Sequence, residues 1–172
     1  KNLSNELEYI FIDSGFMYRA VTLYLMRENI SLREVSEDPA LLGNIKITFH
    51  FDPERCYYET YLNGENVENE VRSMEVARKV SPVSAVQEIR TFLVAQQQTM
   101  GKDKGVVMDG RDIGTVVFPE AELKIFMTAS PEIRAKRRYE ELHKKGIHVN
   151  YQEVLHNIIE RDHIDSTREA SP

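Results

Sequence analysis

The sequence lacks several features that would place it in common protein classes. Cys56 is the only cysteine, which excludes an intrachain disulfide framework and a multi-cysteine metal site and fits a reducing compartment. No apolar run approaches the roughly 20 residues that cross a bilayer, and Lys1-Asn2-Leu3-Ser4 has no apolar signal-peptide core. An excess of positive charge is lacking, because 28 acidic residues outnumber 22 Lys and Arg and give a formal net charge of −6, and this argues against general nucleic-acid binding. We therefore expect a cytoplasmic protein with no membrane or nucleic-acid partner, in which local arginines meet any anionic ligand.

The chain is long enough for one domain but not for two. Its 172 residues are 41% hydrophobic, which supplies a sizeable core and leaves room for a small inserted lobe. The five histidines show no spacing that is typical of metal ligands, so we do not expect a histidine metal site.

The apolar periodicity predicts alternating strands and helices. Tyr9–Ile12 is a short β-rich run that stops at Asp13-Ser14-Gly15, after which the apolar spacing becomes helical. Val106–Met108 and Leu123–Met127 are two further runs of strand length. Because helices separate the three runs, we expect a parallel sheet and an α/β fold.

An antiparallel insertion interrupts this alternation. Apolar and polar residues alternate from Ile45 to Phe51, and Tyr57–Leu62 predicts a second strand. Asn63-Gly64 then predicts a tight hairpin with positive φ at both residues, from which Glu65-Asn66-Val67 returns antiparallel.

Helix-start signatures predict the remaining elements. Val67, Val71 and Met74 fit one helix face. Ser81-Pro82 and Ser130-Pro131 each combine an N-cap serine with a proline at the first helical position. The second of these helices would run to about Lys145, where Gly146 can close it, and a last helix would begin at about Tyr151.

A cluster of charge follows the Val106–Met108 strand. Asp109-Gly110-Arg111-Asp112 stands between two apolar runs, where ligands bind in α/β sheets and where glycine lets the backbone approach a ligand. Arg111 could grip a phosphate with its planar fork. The alternative is a polar hairpin turn whose charges pair locally.

The strand-to-helix turn after Ile12 is a second candidate site. Ser14, Gly15, Tyr18 and Arg19 gather backbone N–H groups, a hydroxyl, a phenol and a guanidinium where the helix dipole favours an anion. The alternative is that Ser14 only caps the helix while Tyr18 packs and Arg19 is solvated.

Two groups of charged residues lie near the end of the chain. Arg134, Arg137 and Arg138 lie on one helix and repel unless an anion such as a triphosphate lies between them. Alternatively, they pair with nearby acids on a solvated face, namely Glu132, Glu140 and Glu141. Arg161, Asp165 and Arg168 would stack on one helix face as an Arg-Asp-Arg ladder. Such a ladder can hold one arginine rigidly for a ligand, or it can be only a weak surface network.

Taken together, three motifs resemble bacterial-type cytidylate kinase over essentially the whole chain. They are Asp13-Ser14-Gly15-x-x-Tyr18-Arg19, Asp109-Gly110-Arg111-Asp112-x-Gly114-Thr115-Val116-Val117-Phe118-Pro119 and Arg161-Asp162-x-x-Asp165-x-x-Arg168. The resemblance implies a P-loop NTPase-like three-layer α/β/α fold with a central parallel sheet. It further implies a core of residues 1–44 and 81–172, a small inserted antiparallel monophosphate-binding lobe at 45–80, and a helical lid at about 131–150.

The resemblance also implies transfer of a phosphoryl group from ATP to CMP or dCMP, with Mg²⁺ bridging phosphates, by a monomer. The carried-over CMP ligands are Ser14, Tyr18, Arg19, Gly110 and Arg111 at the phosphate end, Ser81, Arg90 and Asp112 at the cytosine edge, Arg161 and Asp165 at the ribose, and Arg168 in the phosphate cluster. The carried-over catalytic residues are Arg111, the lid residues Arg134, Arg137 and Arg138, and Asp109, which would lie near Mg²⁺ through water and not as a direct ligand.

Two departures from the family pattern stand out. The first glycine is Gly15, so the chain contains no Gly-x-x-x-x-Gly-Lys-Ser/Thr phosphate loop. Lys1–Glu8 is similar to the tail of the helix that follows such a loop, so we expect that the chain lacks both ends of the protein, binds ATP poorly and turns over little or nothing. Phe16 stands where the family has a small residue.

Two other functions remain open from the sequence. One is a kinase for another monophosphate, such as UMP, and the other is a catalytically silent nucleotide-binding domain. A phosphate loop in the roughly 20 residues upstream would favour an enzyme, and a base-selectivity assay would decide between monophosphates.

Overall fold

The computed structural model describes residues 2–144 and 146–167. Its helices are α1 (Asn2–Glu6), α2 (Ser14–Arg27), α3 (Leu32–Glu37), α4 (Met74–Ala85), α5 (Gln87–Met100), α6 (Pro131–Lys144) and α7 (Tyr151–Thr167). Its strands are β1 (Ile10–Asp13), β2 (Ile47–Asp52), β3 (Tyr57–Leu62), β4 (Glu65–Asn66) and β5 (Val106–Asp109). Short 3₁₀ turns cover Pro39–Asn44 and Glu70–Arg72, and a π-helical turn covers Ile113–Val117.

The described strands form two sheets, which confirms the predicted α/β class. β1 pairs with β5 in parallel, with Ile10 opposite Val106 and Asp13 opposite Asp109. β2, β3 and β4 form a small antiparallel sheet. No helix among the described residues is long and apolar enough to span a membrane.

The Asn63-Gly64 hairpin forms as the sequence predicts. Leu62 pairs with Glu65, which leaves a two-residue loop whose φ values are 51° at Asn63 and 86° at Gly64. This conformation matches the twist of the flanking strands. The Asn63 side chain also accepts a hydrogen bond from the Lys46 backbone N–H (2.8 Å), which ties the turn to the start of β2.

The chain divides into two compact units, one up to Ala121 and one from Glu122. In the first unit, the apolar faces of α2, α4 and α5 pack with both sheets, and Met17, Val21, Ile89 and Leu93 are fully buried. In the second unit, α6 and α7 pack around Ala135, Leu142 and Val154. The predicted boundaries of the inserted lobe and the lid stay predictions.

The predicted helix starts differ in outcome. Ser130 caps α6, because its Oγ accepts from the Ile133 N–H (3.4 Å), and Gly146 closes that helix with φ of 72°. Ser81-Pro82, in contrast, lies in the last turn of α4 and does not begin a helix, so that prediction is wrong. The start of α4 is earlier, since Ser73 caps it, and α5 begins at Gln87.

Two further expectations are wrong. Val67 and Val71 are buried, but no α-helix joins them, because only a 3₁₀ turn forms at Glu70–Arg72, and Met74 at the start of α4 is 42% exposed. Leu123–Met127 forms no strand, and Phe126 is 90% exposed. A strand requires a neighbour's backbone, and this run pairs with no strand among the described residues.

Candidate functional site

The two parallel strands bring the first two motifs together. Asp13 and Asp109 are Cα partners at the last positions of β1 and β5, so the two chains leave the sheet at the same edge. The N-terminal turn of α2, which begins at Ser14, therefore lies beside the loop Gly110–Asp112. This edge is where open α/β sheets bind ligands.

The two segments pass so close to each other that position 110 has no room for a side chain. A Cβ placed on Gly110 would lie 2.1 Å from the Ser14 Oγ and 2.9 Å from the Ile113 Cγ1. Ser14 is only 4% exposed, so it cannot easily move away. Ser14 is also not the N-cap of α2, because Asp13 occupies that position. The backbone of the loop thus passes directly over the serine hydroxyl.

The same loop carries a buried ion pair at Asp112, two residues after Gly110. The Asp112 carboxylate accepts a hydrogen bond from Arg90 Nη2, and the two side chains are only 7% and 3% exposed. Arg90 comes from α5, so the pair joins that helix to the loop after β5. Burying both charges costs several kcal/mol per ion before their attraction is counted. A buried charge pair at such a sheet edge is therefore a candidate for a functional role.

The remaining contacts of Arg90 fix its guanidinium in place. Its Nη1 donates to the Ser84 carbonyl near the end of α4 (3.0 Å), and its Cζ lies 5.5 Å from the ring centroid of Tyr18, which is buried. Among the described residues, the buried Nε of Arg90 has no acceptor. Ser81, half-buried, lies one turn before Ser84 and accepts the Ser84 hydroxyl at its carbonyl (2.9 Å). Arg90, Asp112, Tyr18 and the Ser81–Ser84 turn therefore form one cluster.

The other predicted residues of the first unit lie around this edge. Arg19 on α2 donates from Nη1 to the Val71 carbonyl (3.0 Å). Asp109 and Arg111 are exposed on the loop that carries Gly110. The structure thus places Ser14, Arg19, Gly110 and Asp112 on elements that meet at the ends of β1 and β5.

The arginines of α6 belong to the second unit and differ in their contacts. Arg134 donates from Nη1 to Asp162 Oδ1 (2.9 Å) and from Nη2 to Oδ2, and its Nε reaches the Ala129 carbonyl (3.1 Å). Hydrogen bonding to Asp162 raises the pKa of the Arg134 guanidinium above its ordinary value. Arg138 pairs with Glu141 (3.1 Å), as the solvated-face alternative expects, and Arg137 is exposed.

The predicted ladder is present in part. Arg161 Nε and Asp165 Oδ2 on α7 are 4.0 Å apart, with side-chain exposures of 39% and 13%. Arg168 lies outside the described residues. Among the residues that are described, no group of three or more His, Cys, Asp or Glu side chains could hold a metal ion.

Sequence reasoning missed three residues that the structure connects to the predicted ones. Glu68 and Arg72 form an ion pair in the inserted segment, next to the Val71 carbonyl that holds Arg19. Their i, i+4 spacing was the available signal, but the burial of Glu68 was not visible. Asp162 was visible only as a member of the third motif, and its partner Arg134 is 28 residues away.

Comparisons with known proteins give the family of the chain. The family model described as cytidylate kinase matches residues 1–172. A cytidylate kinase of Bacteroides fragilis is 58% identical over 175 residues, one of Parabacteroides distasonis is 57% identical over 176, and one of Bacteroides thetaiotaomicron is 55% identical over 175. Each match covers 100% of this chain and 76% of the relative.

The fold agrees as well. A parallel sheet with flanking helices and a small antiparallel sheet are consistent with the P-loop nucleoside monophosphate kinase fold that the sequence predicts. The site therefore lies in a chain that belongs to the cytidylate kinase family.

Proposed function

We propose that this chain carries the monophosphate site of a kinase that transfers the γ-phosphoryl group of ATP to CMP or dCMP, giving CDP or dCDP. The observation that carries the proposal is the buried Arg90–Asp112 pair at the edge where the Ser14 turn and Gly110 meet. It supplies a fixed acceptor and a fixed donor at the floor of an anion-binding turn. Burial excludes water there and strengthens both interactions.

The pair matches cytosine better than uracil. Cytosine has an amino group at C4, which can donate a hydrogen bond to a carboxylate. Uracil has a carbonyl oxygen there, which would face the Asp112 carboxylate with no hydrogen to share. A site that leaves buried polar groups unpaired with the wrong base discriminates strongly. Ser81 would add a third contact to the base, and Arg90 has one buried N–H that is without an acceptor among the described residues.

The phosphate end would be held by the other residues of the α2 turn and the loop after β5. Backbone N–H groups at the start of α2 and the Gly110 backbone favour an anion, and Arg19 and Arg111 supply charge. The residues proposed here are Ser14, Tyr18, Arg19, Gly110 and Arg111, with Arg168 joining them and with Arg161 and Asp165 on the ribose.

The transfer itself requires positioning and neutralisation of charge, and no covalent intermediate. Arg134, Arg137 and Arg138 would meet the triphosphate of ATP, and closure of their helix would keep water from the phosphoryl group. Arg111 would stabilise the charge that develops on the transferring group.

Mg²⁺ fits the carboxylates that are present. Mg²⁺ binds through one or two carboxylates, several waters and substrate phosphates, so it does not require a cage of three protein ligands. Asp13 and Asp109 are register partners at the strand ends, and Asp109 is exposed. Asp109 would hold the ion through water, and the ion when bound would neutralise phosphate charge.

Equilibrium binding to the 172-residue chain tests the substrate assignment, because it does not require the donor site. We expect CMP and dCMP to bind at least about tenfold more tightly than UMP or AMP. Tighter binding of UMP or AMP would point to a different monophosphate kinase.

A coupled ADP-release assay tests the reaction in a protein that carries this chain behind a Gly-x-x-x-x-Gly-Lys-Ser/Thr segment. CMP should be turned over, and Arg111→Ala should lower turnover by about 100-fold or more. CMP binding with no turnover in that protein would indicate a silent nucleotide-binding domain, and near-normal turnover of Arg111→Ala would remove this arginine from the site.

A further inference from the structure

The inserted segment contacts the α2 turn at two adjacent residues. The Val71 carbonyl accepts a hydrogen bond from Arg19 Nη1 (3.0 Å). The next residue, Arg72, places its guanidinium carbon 4.5 Å from the ring centroid of Phe16. Phe16 and Arg19 lie on successive turns of α2, so one short stretch of chain reaches the turn from two sides.

A buried carboxylate anchors this stretch. Glu68 is 1% exposed, and its Oε2 accepts hydrogen bonds from both the N–H and the hydroxyl of Thr60 on β3, each 3.0 Å long. Its Oε1 accepts from Arg72 Nε (2.9 Å) and from Arg72 Nη2. A buried carboxylate with this many donors holds its partners rigidly, because leaving any of them unpaired is costly.

We propose that Arg72 is a positioning residue for phosphate recognition, an inference that rests on the proposed function. Held by Glu68 and stacked on Phe16, Arg72 fixes the backbone at Val71. The Val71 carbonyl in turn fixes the plane of the Arg19 guanidinium. Arg72 acts on the phosphate only through Arg19.

The chemistry requires arginine at this position. A planar guanidinium can bond a carboxylate along one edge while its face lies on an aromatic ring, whereas a lysine ammonium is a point charge with neither a planar face nor a two-pronged edge. The orientation of Arg19 matters because arginine binds phosphate through paired N–H groups, and a small displacement from productive geometry costs up to about 100-fold.

Arg27 provides a matched control. It also links α2 to the inserted segment, through Glu65 (2.7 Å) and Glu70 (2.8 Å). Its side chain is 33% exposed, against 44% for Arg72, and its removal takes away the same charge. It lies at the opposite end of α2 from the turn, so a loss of binding that comes only from removing a positive charge should be alike in the two variants.

The test compares CMP with cytidine as ligands of the 172-residue chain by calorimetry. We expect Arg72→Met to weaken CMP binding by about tenfold and to leave cytidine binding within about twofold. Arg72→Lys should resemble Arg72→Met, because charge alone does not restore the geometry. Phe16→Ala, which leaves the Glu68 ion pair in place, should show a smaller loss that is also confined to CMP. Arg27→Met should leave the ratio of the two affinities unchanged.

Three outcomes would overturn the positioning role. They are equal losses of CMP and cytidine binding in Arg72→Met, full recovery of CMP binding in Arg72→Lys, and a CMP-specific loss of the same size in Arg27→Met. Wild-type chain that binds no CMP would instead refute the proposed function, so the two failures are distinguishable.

Discussion

Two arginine–aspartate pairs, one in each unit, have the same chemistry and opposite surroundings. The side chains of Arg90 and Asp112 are 3% and 7% exposed, whereas those of Arg134 and Asp162 are 31% and 38% exposed. Water screens the second pair, which limits its contribution to about 1 kcal/mol or less. The first pair is desolvated, so removing one partner strands a buried charge. Burial, and not residue type, therefore distinguishes the pair that we propose for base recognition from the exposed one.

The largest expected effect is the loss of Asp112. Asp112→Ala should destabilise the chain by about 3–5 kcal/mol, because Arg90 would remain buried without its counter-charge. Urea unfolding with an unchanged m-value measures this loss.

The double variant Arg90→Met/Asp112→Leu separates stability from recognition. Replacing both charges with apolar side chains should recover most of the stability, within about 1–2 kcal/mol, while CMP binding stays lost. A loss below about 1 kcal/mol in Asp112→Ala would mean that the first pair is no more costly to break than the second.

The second effect concerns the close contact between Gly110 and Ser14. Gly110→Ala should cost about 1–3 kcal/mol and weaken CMP binding, because the added methyl overlaps the Ser14 hydroxyl and displaces the loop. Gly43→Ala is the control, since a Cβ there meets nothing within 4 Å. Equal stability and equal CMP affinity of the two variants would show that the close approach of Gly110 to Ser14 matters for neither.

A smaller effect is expected at the exposed pair. Arg134→Met should change the free energy of unfolding by less than about 1 kcal/mol at low salt, and the difference should shrink further at about 1 M salt, where charges are screened within about 3 Å. Denaturant unfolding at both salt concentrations measures it. A salt-independent loss of several kcal/mol would contradict the assignment of this pair to the solvated class.

The smallest effect tests whether the stability that an ion pair contributes depends on its exposure and not on the unit in which it lies. Arg27 and Glu65 form an exposed pair in the first unit, and the hydrogen bond from Arg27 holds the pKa of Glu65 below its ordinary value. Because the folded-state pKa is the lower one, the stabilisation is present above the unfolded-state pKa and is lost as pH falls through the folded-state pKa. The difference in thermal midpoint between wild type and Arg27→Met should therefore be small at pH 7 and decrease between about pH 5 and pH 3. A difference that grows on acidification would have the wrong sign.

The parts of the fold that local chemistry determines were predictable. Asn63-Gly64 specifies its turn through the φ values that these two residues tolerate, and Ser130-Pro131 specifies a helix start. Ser81-Pro82 carries the same signature but lies in the last turn of α4, because Ser73 caps that helix eight residues earlier and Val76, Val80 and Val83 bury one of its faces. Tertiary burial overrides a local signal there.

The parts that depend on distant partners were not predictable from the pattern. Leu123–Met127 has the composition of a strand, but strand formation depends on a neighbouring backbone that the run itself does not supply. The family resemblance predicts Asp112 and Arg90 as site residues, yet their mutual ion pair and its burial arise from packing of α5 on the loop after β5. Arg134 pairs with a residue on another helix, which its own acidic neighbours did not indicate.

The most direct test of the central claim is a calorimetric titration of the wild-type chain and Asp112→Asn with CMP and with UMP. If the buried pair reads the base, wild type should prefer CMP by at least about tenfold, and Asp112→Asn should bring the ratio close to one, because an amide can donate to the uracil oxygen as well as accept from the cytosine amine. An unchanged CMP preference in Asp112→Asn would contradict the account.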